Sequence, residues 1–257
     1  MPSIAELRPV AQPAGHLDRL GEEHWAGRLY MRRLSLHVTR LLVATPLSAN
    51  AVTFLMIPVG LLAGLVLTLP GLVPAIGAAL LAQVWLLLDC CDGEVARWRR
   101  TFSPKGPYLD ALGHYTIEAA LPAALGIRAD GGWGSIGGWT ALGLTVSVLV
   151  LLLKAESILV IVTRARAGLP TDEGLWEDHG SQAAGRRLPL RRGVRLFPFL
   201  RPFYAIEASV LILAAAVVDS ATDSLDGSRV LLLGLVVAAV VAVLAHPVSI
   251  LLSDRLR

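Results

Sequence analysis

The sequence predicts an all-α, polytopic membrane protein: six transmembrane helices preceded by an interfacial amphipathic helix. Three observations predict it. Of the 257 residues, 54% are hydrophobic and only 17% charged, and the mean hydropathy is +0.62, whereas about a quarter of a soluble domain's residues are charged. Apolar stretches close to the roughly 20 residues that a spanning helix needs recur almost to the C-terminus. Turns rich in Gly and Pro separate them. At about 150 residues per domain the length allows fewer than two, and no polar break is large enough for a second core. The only cysteines, Cys90 and Cys91, are adjacent, which excludes a disulfide scaffold.

The first 47 residues form a cytoplasmic N-terminal segment, and 48–257 the membrane domain. The opening Met1 to Arg19 lacks an apolar run followed by a small-residue cleavage site, so no removable signal peptide is expected. From His16 to Ala44, Leu, Trp25, Tyr30 and Met31 alternate with Arg at helical spacing, the pattern of a helix lying on the membrane surface; the alternative is an ordinary surface helix packed on the spans. Ser48 or Asn50 caps the first span, Ala49 to Leu69. The others run from Leu72 to Val95, Tyr108 to Ile127, Gly137 to Val162, Phe203 to Val218 and Val230 to Leu252. Leu69-Pro70-Gly71 and the Asp130-Gly-Gly-Trp-Gly segment are turns, and Gly168 to Pro202 is a polar, Arg-rich connection.

Basic residues fix the orientation, because Lys and Arg accumulate on the cytoplasmic side. Arg32, Arg33 and Arg40 precede the first span; Arg97, Arg99, Arg100 and Lys105 join spans two and three; Arg164, Arg166, Arg186, Arg187, Arg191, Arg192, Arg195 and Arg201 join spans four and five. The opposite loops hold only Arg128 and Arg229. Both termini are therefore cytoplasmic, and the expected location is a bacterial plasma membrane. The pI of about 9.2 reflects Arg beside anionic lipid rather than nucleic-acid binding, since the basic residues are tied to the membrane ends.

Acids inside the apolar spans carry the chemistry, because ionisable groups at that depth are costly. Asp89, Asp92, Gly93, Ala96 and Arg97 stand at i, i+3, i+4, i+7 and i+8 and share one helical face. Asp110 and His114, at i and i+4, share another, and the short turn between the helices lets the two faces meet. Clustered carboxylates repel unless cations lie between them, and oxygen donors suit Mg²⁺, Mn²⁺ or Ca²⁺. With Arg97, Arg99, Arg100 and Lys105 nearby, a phosphate-bearing ligand follows. Gly93, Ala96 and Gly106 leave room for its close approach. The bland alternative is small residues at a helix crossing with acids paired to local Arg.

These residues resemble the CDP-alcohol phosphotransferase family, whose motif is Asp-x-x-Asp-Gly-x-x-Ala-Arg, eight residues, Gly, three residues, Asp, three residues, Asp. Here it reads Asp89, Asp92, Gly93, Ala96, Arg97, Gly106 and Asp110, with His114 in place of the last Asp. Ser48 to Thr53, SANAVT, is similar to the Ser-Pro-Asn-x-x-Thr near the start of the family's first span. The resemblance implies a membrane transferase of phospholipid biosynthesis, which moves a phosphoryl-alcohol group from a CDP-linked donor, commonly CDP-diacylglycerol, to a hydroxyl acceptor and releases CMP. It further implies Asp89, Asp92 and Asp110 as ligands of one or two Mg²⁺ or Mn²⁺ ions. Gly93, Ala96 and Gly106 would make room for the nucleotide, with Arg97 as a polar support, and the protein would be a homodimer. The pair Gly60 and Gly64 offers a close-contact surface.

The family's last Asp is a metal ligand and general base. Neutral imidazole can do either job, though it is a softer ligand than Mg²⁺ prefers. Glu118, one turn further along that face, is placed to orient it. The alternatives are a member that binds metal and CDP-lipid but has lost turnover through His114, and a His114 that only packs or hydrogen-bonds. Lys154-Ala-Glu156 resembles a Lys-Ala-x-Ala-Glu region of members that use a phosphorylated acceptor, so Lys154 with Arg164 or Arg166 is an acceptor-phosphate candidate; the alternative is an internal Lys154–Glu156 ion pair. His16, His24, His37, His179 and His246 show no ligand spacing and read as surface or interfacial residues.

Overall fold

The computed structural model describes residues 1–13, 26–169, 171, 201–253 and 256. Among these there is no strand. In chain order the helices are α1 (Ile4–Ala11), α2 (Arg32–Leu42), α3 (Ala49–Leu67), α4 (Leu72–Arg99), α5 (Lys105–Ala129), α6 (Gly138–Arg166), α7 (Ala205–Thr222) and α8 (Asp226–Leu251). Ser48 supplies the expected cap of α3, accepting from the Ala51 N–H. The two predicted turns appear, with Gly71, Gly131 and Gly132 at positive φ, where a Cβ is disfavoured. Most of the Arg-rich connection, Trp25, His16, His24 and His179 lie outside the described residues.

Among the described residues, five helices are long and apolar enough to cross a membrane: α3, α4, α6, α7 and α8. Phe54, Leu65, Val73, Leu80, Val148, Val237 and Leu244 are exposed along them, an outer surface that only lipid would satisfy. The protein is thus an integral membrane protein. The third expected span, α5, differs. Its 25 residues reach about 37 Å at ~1.5 Å per residue, but it carries Lys105, Asp110, His114, Glu118 and Arg128. It survives among apolar helices because they enclose it, packing it against α3 and α6 with α7 and α8 behind. Ile117, Leu121 and Leu125 join Trp85, Ile206 and Leu232 in one core.

Small residues set the closest crossings. A Cβ on Gly126 would stand 2.6 Å from the Trp139 carbonyl, and one on Gly143 2.5 Å from that of Pro122, so α5 and α6 touch backbone to backbone. Gly60 and Gly64 do the same for α3, facing Ile117 and Ala120 of α5 at 3.0 and 2.9 Å. Their surface is used within the chain, so the pair carries no argument for a homodimer.

Of the expected amphipathic helix, residues 16–25 lie outside the described residues. A π-helical turn, Gly27–Met31, leads into α2, and α1 precedes them in a stretch where no helix is expected from the sequence. Both dock on α4 through Glu94, a fully buried carboxylate. It accepts hydrogen bonds from Gln12 Nε2 at 2.7 Å, Ser35 Oγ at 2.5 Å and Thr39 Oγ1 at 2.6 Å. Arg97 Nε donates to the Ala11 carbonyl at 2.7 Å, and Arg99 donates to the carbonyls of Leu42, Thr45 and Leu47, so two arginines satisfy helix C-termini that would otherwise be orphaned.

At the opposite end a second buried charge closes the bundle. Arg128, 1% exposed, donates to the carbonyls of Leu69 and Gly71 and lies 3.7 Å from Asp219, which accepts from Ser228 N–H and Oγ. One guanidinium thereby ties the α3–α4 turn, α5, α7 and α8 together.

Candidate active site

The site lies where the last turns of α4 face the first turns of α5. Between them the chain reverses in five residues, with Arg100 in the left-handed region at φ 54° and its N–H bonded back to Arg97. This reversal places the two predicted faces opposite each other.

His114 is the hub. Its Nε2 lies 3.2 Å from Asp89 Oδ1 and 3.6 Å from Asp110 Oδ1, while Nδ1 lies 3.6 Å from Glu118 Oε1. The Trp85 ring meets the imidazole edge-on, with centroids 4.7 Å apart, and fixes its plane. One donor atom each from Asp89, Asp110 and His114 fall within 4.8 Å of one another, a spacing that a single cation can bridge. One oxygen of Asp89 and one of Asp110 thus stand within 4.8 Å of each other. Two like charges so close in a low-dielectric bundle require a cation or a shared proton. Carboxylate oxygens with one imidazole nitrogen are a donor set that Mn²⁺ accepts well and Mg²⁺ tolerates. The residues therefore fit a divalent ion.

The other predicted residues distribute around this hub. Asp92, one turn after Asp89, falls outside the three-residue group and lies beside Thr53 of α3. At Gly93 the three atoms nearest a Cβ would all belong to the Arg97 guanidinium, its Nη atoms at 3.0 and 3.3 Å. Arg97 splits its guanidinium, Nε holding Ala11 and the Nη groups beside Gly93. Arg99, read as a phosphate neighbour, is instead turned to the end of α2. Ala96 is half-buried on the same face, and Gly106 sits under Asn50, whose Oδ1 would be 3.4 Å from a Cβ.

Lys154 and Glu156 do not pair with each other. Lys154 Nζ lies 2.8 Å from Glu118 Oε2 and over the rings of Tyr115 and Tyr204 at 5.5 and 5.6 Å, whereas Glu156 takes His246 Nδ1 at 2.9 Å. On a helix, residues 154 and 156 point in directions about 200° apart, which is why each finds a different neighbour. His246 is accordingly a half-buried link between α6 and α8 rather than a surface residue, while His37 is exposed as expected. Arg164 and Arg166 lie ten and twelve residues beyond Lys154 on α6, about 15 Å or more along the axis, so the three do not converge. Glu94 was missed altogether. It stands inside the motif, and only its burial reveals its role.

A model of the CDP-alcohol phosphatidyltransferase family matches residues 46–174, the stretch from just before α3 to just beyond α6 that holds Asp89, Asp92, Asp110, His114, Glu118 and Lys154. The chain belongs to this family. As a CDP-alcohol phosphatidyltransferase it is a membrane transferase that moves a phosphatidyl-type group from a CDP-alcohol, and the family uses a divalent metal. No curated protein matches the chain.

Proposed function

We propose that this CDP-alcohol phosphatidyltransferase takes CDP-diacylglycerol as donor and passes its phosphatidyl group to a hydroxyl acceptor at the α4–α5 site, on the cytoplasmic side of a six-span bundle in which α5 is the third span. The observation that carries the reading is the convergence of Asp89, Asp110 and His114 within 4.8 Å where α4 faces α5. The acceptor oxygen forms a bond to the lipid-bearing phosphorus as the bond from that phosphorus to the CMP oxygen breaks. The acceptor's proton goes to the protein, and CMP leaves as the anion.

Asp89, Asp110 and His114 would hold the metal, with Asp92 joining once the diphosphate is bound. A divalent ion in that place neutralises phosphoryl oxygens and the departing phosphate. The neutral His114 ring has one lone pair to give. Its 3.2 and 3.6 Å approaches to two carboxylates favour coordination over proton removal. Proton removal then falls to Asp110, the more exposed carboxylate, 46% accessible against 22% for Asp89. Gly93, Ala96 and Gly106 leave the space for the cytidine diphosphate, and the Arg97 Nη groups border it. Arg164 and Arg166, at the membrane end of α6, are placed for an incoming anionic headgroup.

The test is release of CMP from CDP-diacylglycerol in membranes holding the full chain, with EDTA, Mg²⁺ or Mn²⁺, across glycerol phosphate, inositol phosphate, serine and lipid alcohols. Metal-dependent release with one acceptor is expected. Binding of the CDP-lipid without CMP release for any acceptor contradicts the reading and favours a member that has lost turnover through His114.

A further inference from the structure

Glu118 is a carboxylate sealed between membrane helices, with its side chain 1% exposed. Oε2 faces the Lys154 ammonium of α6 at 2.8 Å, and Oε1 faces His114 Nδ1 at 3.6 Å, a small rotation short of a hydrogen bond. A cavity of about 30 Å³, lined by Glu118, Lys154, Ser157, Tyr204 and His246 among others, adjoins the pair and has room for one or two waters. Burying both charges here serves no packing need that two apolar residues could not meet.

The geometry of the imidazole supplies the need. A neutral ring carries one proton on one of two nitrogens. For Nε2 to offer its lone pair to a cation shared with Asp89 and Asp110, the proton must sit on Nδ1, and Glu118 is the group that faces Nδ1. We infer that Glu118, held in place by Lys154, is a positioning residue that keeps the His114 proton on Nδ1 and so presents Nε2 to the cation site. The inference rests on the metal reading above. It also reassigns Lys154, whose charge is directed to Glu118 rather than to an acceptor phosphate. Carboxylates that orient metal-binding histidines act in this way, and their loss lowers metal affinity about 10–100-fold.

Two readouts on the detergent-solubilised full chain test it. With ¹⁵N-labelled histidine in excess Mg²⁺, and the His114 signals assigned by their loss in His114→Asp, the ring should show the Nδ1–H tautomer. Glu118→Ala should shift it towards Nε2–H, and Glu118→Gln, whose amide oxygen still accepts, should not. Should Glu118→Ala fail to fold, the charge-neutral pair Glu118→Leu/Lys154→Met carries the same comparison. Mn²⁺ binding followed by electron paramagnetic resonance should weaken about 10–100-fold in Glu118→Ala. In the His114→Asp background, which has no ring to orient, the same change should have no further effect. An unchanged tautomer, or an equal loss of Mn²⁺ affinity in both backgrounds, overturns the inference. Lys154→Met should weaken Mn²⁺ binding as well; an effect confined to the acceptor KM overturns the reassignment. A tautomer that responds as expected in a protein that binds no Mn²⁺ leaves the positioning intact and sinks the metal reading instead.

Discussion

Glu94→Ala removes the group on which the N-terminal arm is docked. Three donors on two different segments end on this one buried carboxylate, at 2.7, 2.5 and 2.6 Å. A hydrogen bond to a charged group contributes about 1.5–3 kcal/mol, and the three are not additive because the donors partly re-pair with one another or with water. A loss of about 4 kcal/mol is the conservative sum, equivalent to roughly a thousandfold in the docked-to-undocked ratio at ~1.4 kcal/mol per tenfold. What remains includes the small cluster of Leu7, Ala11 and Leu36 against Ile4 and Trp98, the Arg97 bond to Ala11, the Arg99 bonds at the end of α2 and the Gln12 bond to the Arg32 carbonyl. Hydrogen exchange on the detergent-solubilised protein reads the change directly. Amides of Ile4–Ala11 and Arg32–Leu42 should exchange up to about a thousandfold faster, while those of α6 and α8 stay as they were. Protection of α1 and α2 unchanged in the variant would refute the docking argument.

Other perturbations probe the crossings and the far end of the bundle. Gly126→Ala places a methyl 2.6 Å from the Trp139 carbonyl, so it should destabilise by about 1–3 kcal/mol in thermal denaturation, whereas Gly134→Ala, which meets nothing within 4 Å, should be silent. Asp219→Ala strands the buried Arg128 guanidinium and should cost about 3–5 kcal/mol by the same measurement, with Arg128→Met added to it recovering part of the loss. Asp130 caps α6 through Gly137 N–H and the Thr140 N–H and hydroxyl. Burial acts to raise its pKa, but the Thr140 and Gly137 bonds outweigh it and hold the carboxyl below its usual 3.8. A lowered folded-state value means that this stabilisation is complete above pH ~4 and is lost as pH falls through the folded-state pKa. Exchange protection of the first turn of α6 should follow that course and become pH-independent in Asp130→Ala.

The spans, their turns and the opposed faces of Asp89 and Asp110 were legible in the sequence because each depends on local periodicity, and a five-residue turn leaves two helices little choice but to face each other. Partnerships across the bundle were not. Lys154 and Glu156 are close in sequence and opposite in charge, yet helix geometry sends them to Glu118 and His246. Glu94 looked like a spacer within the motif, and nothing in its neighbours along the chain announces that Gln12, Ser35 and Thr39 converge on it. Gly60 and Gly64 signalled a close helix contact correctly, but a motif of two glycines does not say whether the partner is another copy or α5. Apolar content alone also undervalues α5, because a helix enclosed by others tolerates charges that a lipid-facing one does not.

The central claim is that Asp89, Asp110 and His114 hold a divalent ion against the donor's diphosphate. It is tested most directly by CMP release from CDP-diacylglycerol in membranes carrying Asp110→Asn, with Mg²⁺ or Mn²⁺ in excess and the amount of folded protein matched to wild type. The account predicts that turnover is lost at every metal concentration; turnover at the wild-type rate would contradict it.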